Sequence, residues 1–293
     1  MENELDNLIL TGEETFNILL GIKDLPSIPK VMLEVQALLR SESHNTVKLA
    51  GIVGKDQGLT TKILMVANSP LYGLQRKVSS LEFAIMLLGV NEVSNIVTAL
   101  SLAEAIKVDN VKGLNFMEFW KHSMLVGTAS KDIAKRLGYF DLSGDAFVGG
   151  MLHDLGIQLT ARYFPKQFEK VVDTVKSDGT NFQDVEAKYL GLSHQEIGGF
   201  ISRRWNLPPH LINSLMFHHN PYGAMDSPIV PYIVHIADCM TQRFGIANVL
   251  WDEGLEFDKS ICNVLKFDTE EKFEEFVSDY ENMFRETADS LTL

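Results

Sequence analysis

The amino-acid sequence predicts an all-α protein. Apolar residues recur at the three- and four-residue spacing of a helix along most of the chain, whereas the period-two alternation of half-buried strands is nearly absent. Hydrophobic residues make up 45% and charged residues 22% of the 293 positions, a balance that excludes a disordered or fibrous chain. We therefore expect a helical bundle with a smaller N-terminal helical subdomain.

Glycine and proline divide the first 112 residues into short predicted helices. Pro29 suits the first turn of a helix, because a proline there loses no hydrogen bond. Gly89 follows an apolar stripe that runs from Leu81 to Leu88, and it suits the C-cap. The helices predicted in this part are 5–20, 29–39, 47–54, 59–68, 81–88 and 92–106.

The polar stretch 108–113 is the best candidate for an internal boundary. We expect an N-terminal helix at 1–23, a helical subdomain at 24–112, a bundle at 113–250 and an acidic helical tail at 251–293. The helices predicted after the boundary are 115–138, 144–159, 182–190, 193–205, 208–218 and 227–244.

Negative charge is concentrated at the end of the chain. The net charge is −13, and residues 268–293 hold nine acidic and two basic residues. An acidic surface repels phosphate backbones, so we expect no nucleic-acid partner. Apolar residues of the tail share one helical face, which predicts a docking stripe within the chain or onto a partner. They are Phe273, Phe276, Tyr280 and Phe284.

Membrane and disulfide signals are missing from the sequence. No run of eighteen or more apolar residues occurs, and the first residues are acidic where a secretory signal is basic. We therefore expect a cytoplasmic protein with no membrane partner. The two cysteines, Cys239 and Cys262, are too few for a disulfide framework or a thiolate metal cage. Histidines and carboxylates must hold any metal.

Ionisable residues recur inside the apolar helical patterns of the second half. A buried polar group without a partner costs about 1–3 kcal/mol, so something should compensate these residues. A divalent ion would do so, because imidazole and carboxylate ligands suit iron, manganese or zinc and can surround an ion in a bundle core. The candidate ligands are Glu118, His122, His153, Asp154, His194, His218, His219 and Asp238.

Two spacings within this set have a geometric use. His153 and Asp154 are consecutive, so on a helix they point about 100° apart, and one can bind an ion while the other bridges to a second. Glu118 lies one helical turn before His122, so both can face the same ion. Structural roles are the alternative: a core histidine is often simply hydrogen-bonded, and a first-turn glutamate favours the helix dipole.

The ordered pattern of His122, the His153–Asp154 pair and Asp238 resembles the HD superfamily of metal-dependent phosphohydrolases. Over residues 24–244 the chain resembles the HDOD family, the HD-related output domains of bacterial signalling proteins. The matching segments are LPSIP at 25–29, GLTTKILMVANS at 58–69, AIMLLG at 84–89, FWKHS at 119–123, GGMLHDLG at 149–156, WNLP at 205–208 and HHNP at 218–221.

This resemblance implies an all-helical fold and a role in bacterial signal transduction, in a family that often loses its metal ligands. Here seven candidates, without Glu118, match in order the ligand set of the related HD-GYP phosphodiesterases, which cleave cyclic di-guanylate with two or three metal ions. Glu118 matches an additional glutamate in some of them. We expect one or two divalent ions, with iron first and manganese, zinc or nickel as alternatives.

Two departures argue against the HD-GYP reaction. Ile157 stands where the HD-GYP pattern has a lysine that can meet substrate phosphate, and NPYG at 220–223 replaces the Gly-Tyr-Pro motif. Cyclic di-guanylate is therefore not the expected substrate.

Two functional hypotheses follow. The first is a signalling module that holds its metal structurally or as a sensor and acts through contacts with a protein partner. The second is a phosphohydrolase in which Asp154 is catalytic, bridging two ions and orienting a hydroxide, while His235 shuttles protons. Oxygen chemistry at a di-iron site is a third, less favoured alternative.

A phosphorylated small ligand is a further possibility at the cleft between the subdomains. Basic residues of the N-terminal subdomain would suit it, although scattered helix-surface positions explain these residues better. They are Lys23, Lys30, Lys55, Lys62, Arg76 and Lys77.

Overall fold

The computed structural model describes residues 8–41, 46–72, 74, 76–108, 111–226 and 228–291. No β-strand occurs among these residues, which confirms the all-α prediction. The first six α-helices are α1 Gly12–Gly21, α2 Lys30–Arg40, α3 Thr46–Val53, α4 Gln57–Ala67, α5 Leu81–Leu88 and α6 Val90–Ile106. The next eight are α7 Phe116–Arg136, α8 Ser143–Leu152, α9 Leu155–Tyr163, α10 Pro165–Asp178, α11 Phe182–Leu190, α12 His194–Arg204, α13 Pro209–Phe217 and α14 Ile229–Phe244. The last three are α15 Ile261–Val264, α16 Glu270–Ser278 and α17 Glu281–Ser290.

The N-terminal helix starts later than the apolar pattern predicts. Thr11 caps α1 through a capping box: its hydroxyl accepts from the Glu14 amide, and the Glu14 carboxylate accepts from the Thr11 amide. Before Thr11, the Leu10 amide donates to the Tyr189 carbonyl at 3.0 Å, which holds that stretch out of a helix. Positions 5–7 of the predicted helix lie outside the described residues.

One apolar core spans the N-terminal helices and part of the bundle. It joins Val35 of α2 and Leu100 of α6 to Phe147 of α8 and Leu215 of α13. Within the described part of the chain, no single helix combines the length and hydropathy needed to cross a bilayer, and α5 with α6 meets that test only as a pair bent by 119°.

Helices α7, α8 and α14 form the centre of the bundle. Small residues let α7 and α8 approach closely: a Cβ on Gly150 would lie 2.8 Å from the Cα of Gly127. A Cβ on Gly127 would in turn lie 2.6 Å from the side chain of Met151. This contact fixes the positions of the residues that follow α8 relative to those of α7.

The prediction of one continuous helix over 144–159 is wrong, because the structure has two helices here, separated at His153 and Asp154. Helix α8 ends at Leu152 and α9 begins at Leu155, with Asp154 outside helical geometry at φ −90°, ψ 15°. Helix α9 then crosses the start of α12 so closely that a Cβ on Gly156 would lie 1.8 Å from the His194 carbonyl oxygen. The break turns the chain toward that crossing.

Helix α10 was not predicted, although its pattern is visible in the sequence. It begins at Pro165, which is a favourable first residue of a helix. Gly179, which has φ +64°, caps its C-terminal end. Its buried residues follow the i, i+3, i+4, i+7 spacing of an amphipathic helix. They are Phe168, Val171, Val172 and Val175.

The acidic tail docks within the chain. It forms two helices, α16 and α17, rather than one, and Phe273, Tyr280 and Phe284 are buried against α7 and α14. Phe276 is half-buried beside them. The Tyr280 hydroxyl donates to the Asp132 carboxylate of α7 at 2.8 Å. The predicted docking stripe therefore has its partner in this chain.

Candidate metal centre

Seven of the eight predicted ligands converge at one point inside the bundle. The elements that contribute to it are α7, the break between α8 and α9, the start of α12, the residues that follow α13 and the middle of α14. The residues that these elements bring together are His122, His153, Asp154, His194, His218, His219 and Asp238.

The first group of ligand atoms surrounds His122. Its Nε2 lies 3.1 Å from the His153 Nε2 and 3.4 Å from both the Asp154 Oδ2 and the Asp238 Oδ1. Ligand atoms bonded to one ion at about 2.0–2.2 Å lie about 3–3.5 Å from one another. The spacing of these four atoms therefore fits a single bound cation.

The second group lies on the other side of Asp154. The Asp154 Oδ1 is 3.5 Å from the His218 Nε2 and 3.7 Å from the His194 Nε2. His219 joins these two histidines, with candidate ligand atoms within 4.8 Å of one another. Asp154 thus presents one carboxylate oxygen to each group, as a bridging carboxylate would.

Several atoms at this point have no hydrogen-bond partner although they are fully buried. Such orphan atoms are rare in native proteins, because each costs free energy that folding must offset. Nitrogen lone pairs and carboxylate oxygens facing one another are the donor set of a divalent cation. The orphan atoms are Asp154 Oδ1, His194 Nε2, His218 Nε2, Asp238 Oδ1, Asp238 Oδ2 and Asp252 Oδ2.

Four of the imidazoles are held with Nε2 toward the centre. In each ring the Nδ1–H has an oxygen acceptor, which fixes the tautomer whose Nε2 lone pair is free to bind a metal. The acceptors are the Ala247 carbonyl for His122 at 2.9 Å, the Gly150 carbonyl for His153 at 2.7 Å, the Leu215 carbonyl for His218 at 3.0 Å and the Glu186 carboxylate for His194 at 2.8 Å.

Residues 25–221 match the profile of the HDOD domain. The chain belongs to the HDOD family. An HDOD domain protein of unknown function from Geobacter sulfurreducens shares 25% identity, with a TM-score of 0.76 over 95% of this chain and 97% of that one.

Two further proteins are similar to this chain. A Shewanella amazonensis SB2B protein, provisionally classed as a phosphohydrolase, shares the fold at 22% identity, with a TM-score of 0.70 over 94% of this chain and 98% of that one. An uncharacterized protein of Treponema pallidum (strain Nichols) is 24% identical over 224 residues. That match covers 76% of this chain and only 43% of the Treponema protein.

Three residues of this HDOD centre were missed by the sequence analysis. Asp252 is buried, with its Oδ2 3.3 Å from the His122 Nε2 and its Oδ1 2.8 Å from the His219 Nε2. The Trp251 indole donates to the Asp154 Oδ2 at 2.5 Å. Glu186 holds His194. Asp252 carries no local signal, since it follows the family match and lies in a segment assigned to the acidic tail.

Glu118 does not join the centre, and the prediction that it shares an ion with His122 is wrong. Its side chain is exposed on the first turn of α7, while His122 is fully buried on the same helix. The Glu118 amide is capped by the Asn115 side chain. A first-turn glutamate beside the helix dipole, the structural alternative, accounts for this position.

His235 is a structural residue rather than a free proton shuttle. Its Nδ1–H donates to the His218 carbonyl at 2.5 Å, and its Nε2 accepts from the Asp258 amide at 2.9 Å. Both ring nitrogens are therefore engaged by backbone. The ring positions His218 through that residue's own carbonyl.

The electrostatics of the centre suit a bound cation. Burial lowers the pKa of His122, but hydrogen bonds to Asp154 and Asp238 outweigh it and raise that pKa to about 10. Burial, together with the charges of Asp238 and Asp154, raises the pKa of Asp252 well above its usual range. Burial lowers the pKa of His218 to about 4. In the metal-free protein, retained protons therefore supply the positive charge that a metal ion would otherwise bring to the carboxylates.

Several residues that bear on phosphate binding are buried or paired with carboxylates. Ile157, at the position of the HD-GYP lysine, is fully buried in an apolar cluster. Lys30 and Lys55 pair with Glu34, and Lys62 pairs with Glu104. Half of the six basic residues are thus already compensated by carboxylates.

Proposed function

We propose that this HDOD protein is a bacterial signal-transduction module that binds one or two divalent metal ions and acts through contacts with a signalling protein. The convergence of seven candidate ligand residues, six of them buried and His219 partly buried, with orphan atoms facing one another, carries the proposal. Iron is the first choice of metal, with manganese, zinc and nickel as alternatives, because imidazole and carboxylate ligands accept all four.

The residues that would hold the metal fall into two groups. His122, His153 and Asp238 would bind one ion, His194 and His218 would bind a second, and Asp154 would bridge the two. Together with His219, these residues are the set that the resemblance to the HD-GYP enzymes implies as ligands. A bound ion would supply positive charge to the buried carboxylates and link five elements of the bundle, so the fold would sense whether metal is present.

Burial of the centre favours a signalling module over a phosphohydrolase. His122, His153, His194, His218 and Asp238 have no exposed surface. A phosphoester substrate must reach the metal and displace or accept a bound water, and burial of these ligands argues against such access. The provisional class of the Shewanella protein keeps hydrolysis as the alternative function.

Metal analysis by mass spectrometry tests the metal site. Wild-type protein, purified without chelators, should carry near-stoichiometric divalent metal, and His153→Ala should lose most of it while keeping its helical circular dichroism. The matched control is His210→Ala, because His210 is a half-buried histidine paired with Asp145 away from the centre. Equal metal contents in all three proteins would contradict the proposal.

A phosphoester screen on the metal-loaded protein tests the signalling role. We expect no turnover of nucleotides, cyclic dinucleotides or simple phosphate monoesters. Robust turnover that Asp154→Ala abolishes, in protein that remains folded, would replace the signalling module with the phosphohydrolase.

A further inference from the structure

The metal centre is covered by a segment that lies outside the HDOD match at 25–221. We call residues 247–258 the closing strap. After α14 the strap crosses the candidate ligands and contains the short 3-10 helix Leu250–Asp252. Trp251 packs against Phe119 and Phe182, with ring centroids 6.0 and 6.3 Å away.

The strap is fixed at several points by specific hydrogen bonds. Its Ala247 carbonyl accepts from the His122 Nδ1–H at 2.9 Å, and its Val249 carbonyl accepts from the side-chain Nε2 of Gln242 at 3.3 Å. At the far end the Asp258 amide donates to the His235 ring at 2.9 Å. These contacts hold the middle of the strap over the centre.

Asp252 points from the strap into the first group of ligands. Its side chain is 1% exposed, and the Oδ2 has no hydrogen-bond partner. That oxygen lies 3.3 Å from the His122 Nε2, within the range found for the other members of the group. Candidate ligand atoms of His122, His153, Asp238 and Asp252 all lie within 4.8 Å of one another.

We propose that Asp252 is a ligand of the ion that His122, His153 and Asp238 hold, and that the strap thereby closes the coordination position that a metal hydrolase keeps for water. The inference rests on the proposed metal binding. Catalytic metal sites keep an open position for water or substrate, whereas structural sites fill every position with protein ligands. Asp252 would make the first group a site of the second kind.

Closure by the strap has two measurable consequences. The ion should have fewer exchangeable water ligands than in a protein without the Asp252 carboxylate. The ion should also dissociate slowly, because the strap must move away before a chelator can reach the ion. Both properties belong to the bound ion and require no enzymatic activity.

The experiment compares protein loaded with one equivalent of Mn²⁺ in wild type, Asp252→Ala and Glu253→Ala. Glu253 is the exposed neighbour of Asp252 on the same strap and is the matched control. Water-proton relaxation enhancement per bound Mn²⁺ reports exchangeable water ligands, and the rate of Mn²⁺ transfer to EDTA reports access. Relative to wild type, we expect Asp252→Ala to show a higher relaxation enhancement and a transfer of Mn²⁺ to EDTA that is faster by about tenfold or more. We expect neither change in Glu253→Ala.

Asp252→Asn is the second variant, should the alanine variant fail to fold. It keeps the volume and a polar contact to His219, but its neutral carboxamide is a weaker ligand. We expect it to shift both readouts in the same direction as Asp252→Ala.

The outcomes separate this inference from the proposed function. If wild type binds no Mn²⁺, or if His153→Ala binds Mn²⁺ as well as wild type does, both the proposed metal site and the role of the strap are wrong. Wild type that binds Mn²⁺ through His153, with enhancement and transfer rate unchanged in the folded Asp252 variants, leaves the metal site standing and overturns the role of the strap.

Discussion

Trp251 and Asp154 meet through one hydrogen bond, and that bond orients the carboxylate shared by both groups of ligands. Burial opposes ionisation of Asp154, but the neighbouring imidazoles of His153 and His122 outweigh it and hold its pKa well below the usual range. The Trp251 N–H, 2.5 Å from the Oδ2, fixes the rotation of this charged group. The indole would therefore act on a bound metal through Asp154.

We expect Trp251→Phe to weaken metal binding by about tenfold, because residues that orient a ligand typically contribute that much to affinity. The phenyl ring keeps the packing against Phe119 and Phe182. Chelator competition measures the affinity, and urea unfolding of the metal-free protein measures stability, which should fall by about 1–2 kcal/mol.

Trp205→Phe is the matched control for this prediction. The Trp205 indole is also buried and donates to the Pro26 carbonyl at 2.8 Å, in the core shared with the N-terminal helices. It should lose similar stability with metal affinity unchanged. Equal affinity in Trp251→Phe and wild type would rule out the positioning role.

The sequence predicts the histidines of the centre better than its carboxylates. A histidine within an apolar helical pattern is unusual, because its burial needs a compensating partner. Its position in the sequence therefore indicates a site. A carboxylate is common on any surface, and only tertiary structure distinguishes buried Asp252 from exposed Glu118. The strap residues could not be found because no periodic pattern relates them to the bundle.

At the scale of elements, the crossing of α9 over α12 positions two candidate ligands. Asp154 precedes α9 and His194 begins α12, so the distance between these helices sets the distance between their ligand atoms. The absence of a Cβ at Gly156 permits the approach.

Gly156→Ala should destabilise the protein by about 3 kcal/mol or more, since the added methyl must displace the backbone carbonyl of His194. It should also reduce metal content, because the shift separates Asp154 from His194. Thermal unfolding and metal analysis measure the two effects.

Gly51→Ala provides the comparison for that substitution. Gly51 lies inside α3, and a Cβ there meets no atom within 4 Å. We expect a gain of about 0.5–1 kcal/mol from the better helix propensity of alanine. Similar stability changes in the two variants would contradict the close crossing.

Most helices were predictable because glycine, proline and the apolar stripes mark their ends. The exceptions have physical causes. The break at His153 and Asp154 follows from a tertiary contact that Gly156 makes with a helix some forty residues later, which no local pattern encodes. Helix α10, in contrast, carried a full amphipathic stripe and could have been predicted.

At the scale of the molecule, the acidic tail is part of the folded body. Phe284 is fully buried and packs edge-on against Phe244 of α14 at 5.3 Å. Phe273 of α16 contacts Phe257 of the strap at 5.1 Å. Most charged residues of α16 and α17 are exposed, while the aromatic face of these helices completes the core.

Phe284→Ala should therefore lower the free energy of unfolding by about 3–5 kcal/mol, the cost of a cavity left by a buried phenylalanine. Urea denaturation followed by circular dichroism measures it. Phe140→Ala is the control, because Phe140 is 68% exposed and should change stability little. A tail that folds independently would give two transitions, with only one affected.

The candidate ligands are spread along the chain from His122 to Asp252. During synthesis, the first histidine leaves the ribosome long before the last carboxylate, and no short segment contains enough donors to retain an ion. Binding of the proposed metal would therefore come late, after the bundle has assembled. The metal supply of the cell would then act on the folded protein rather than on the nascent chain.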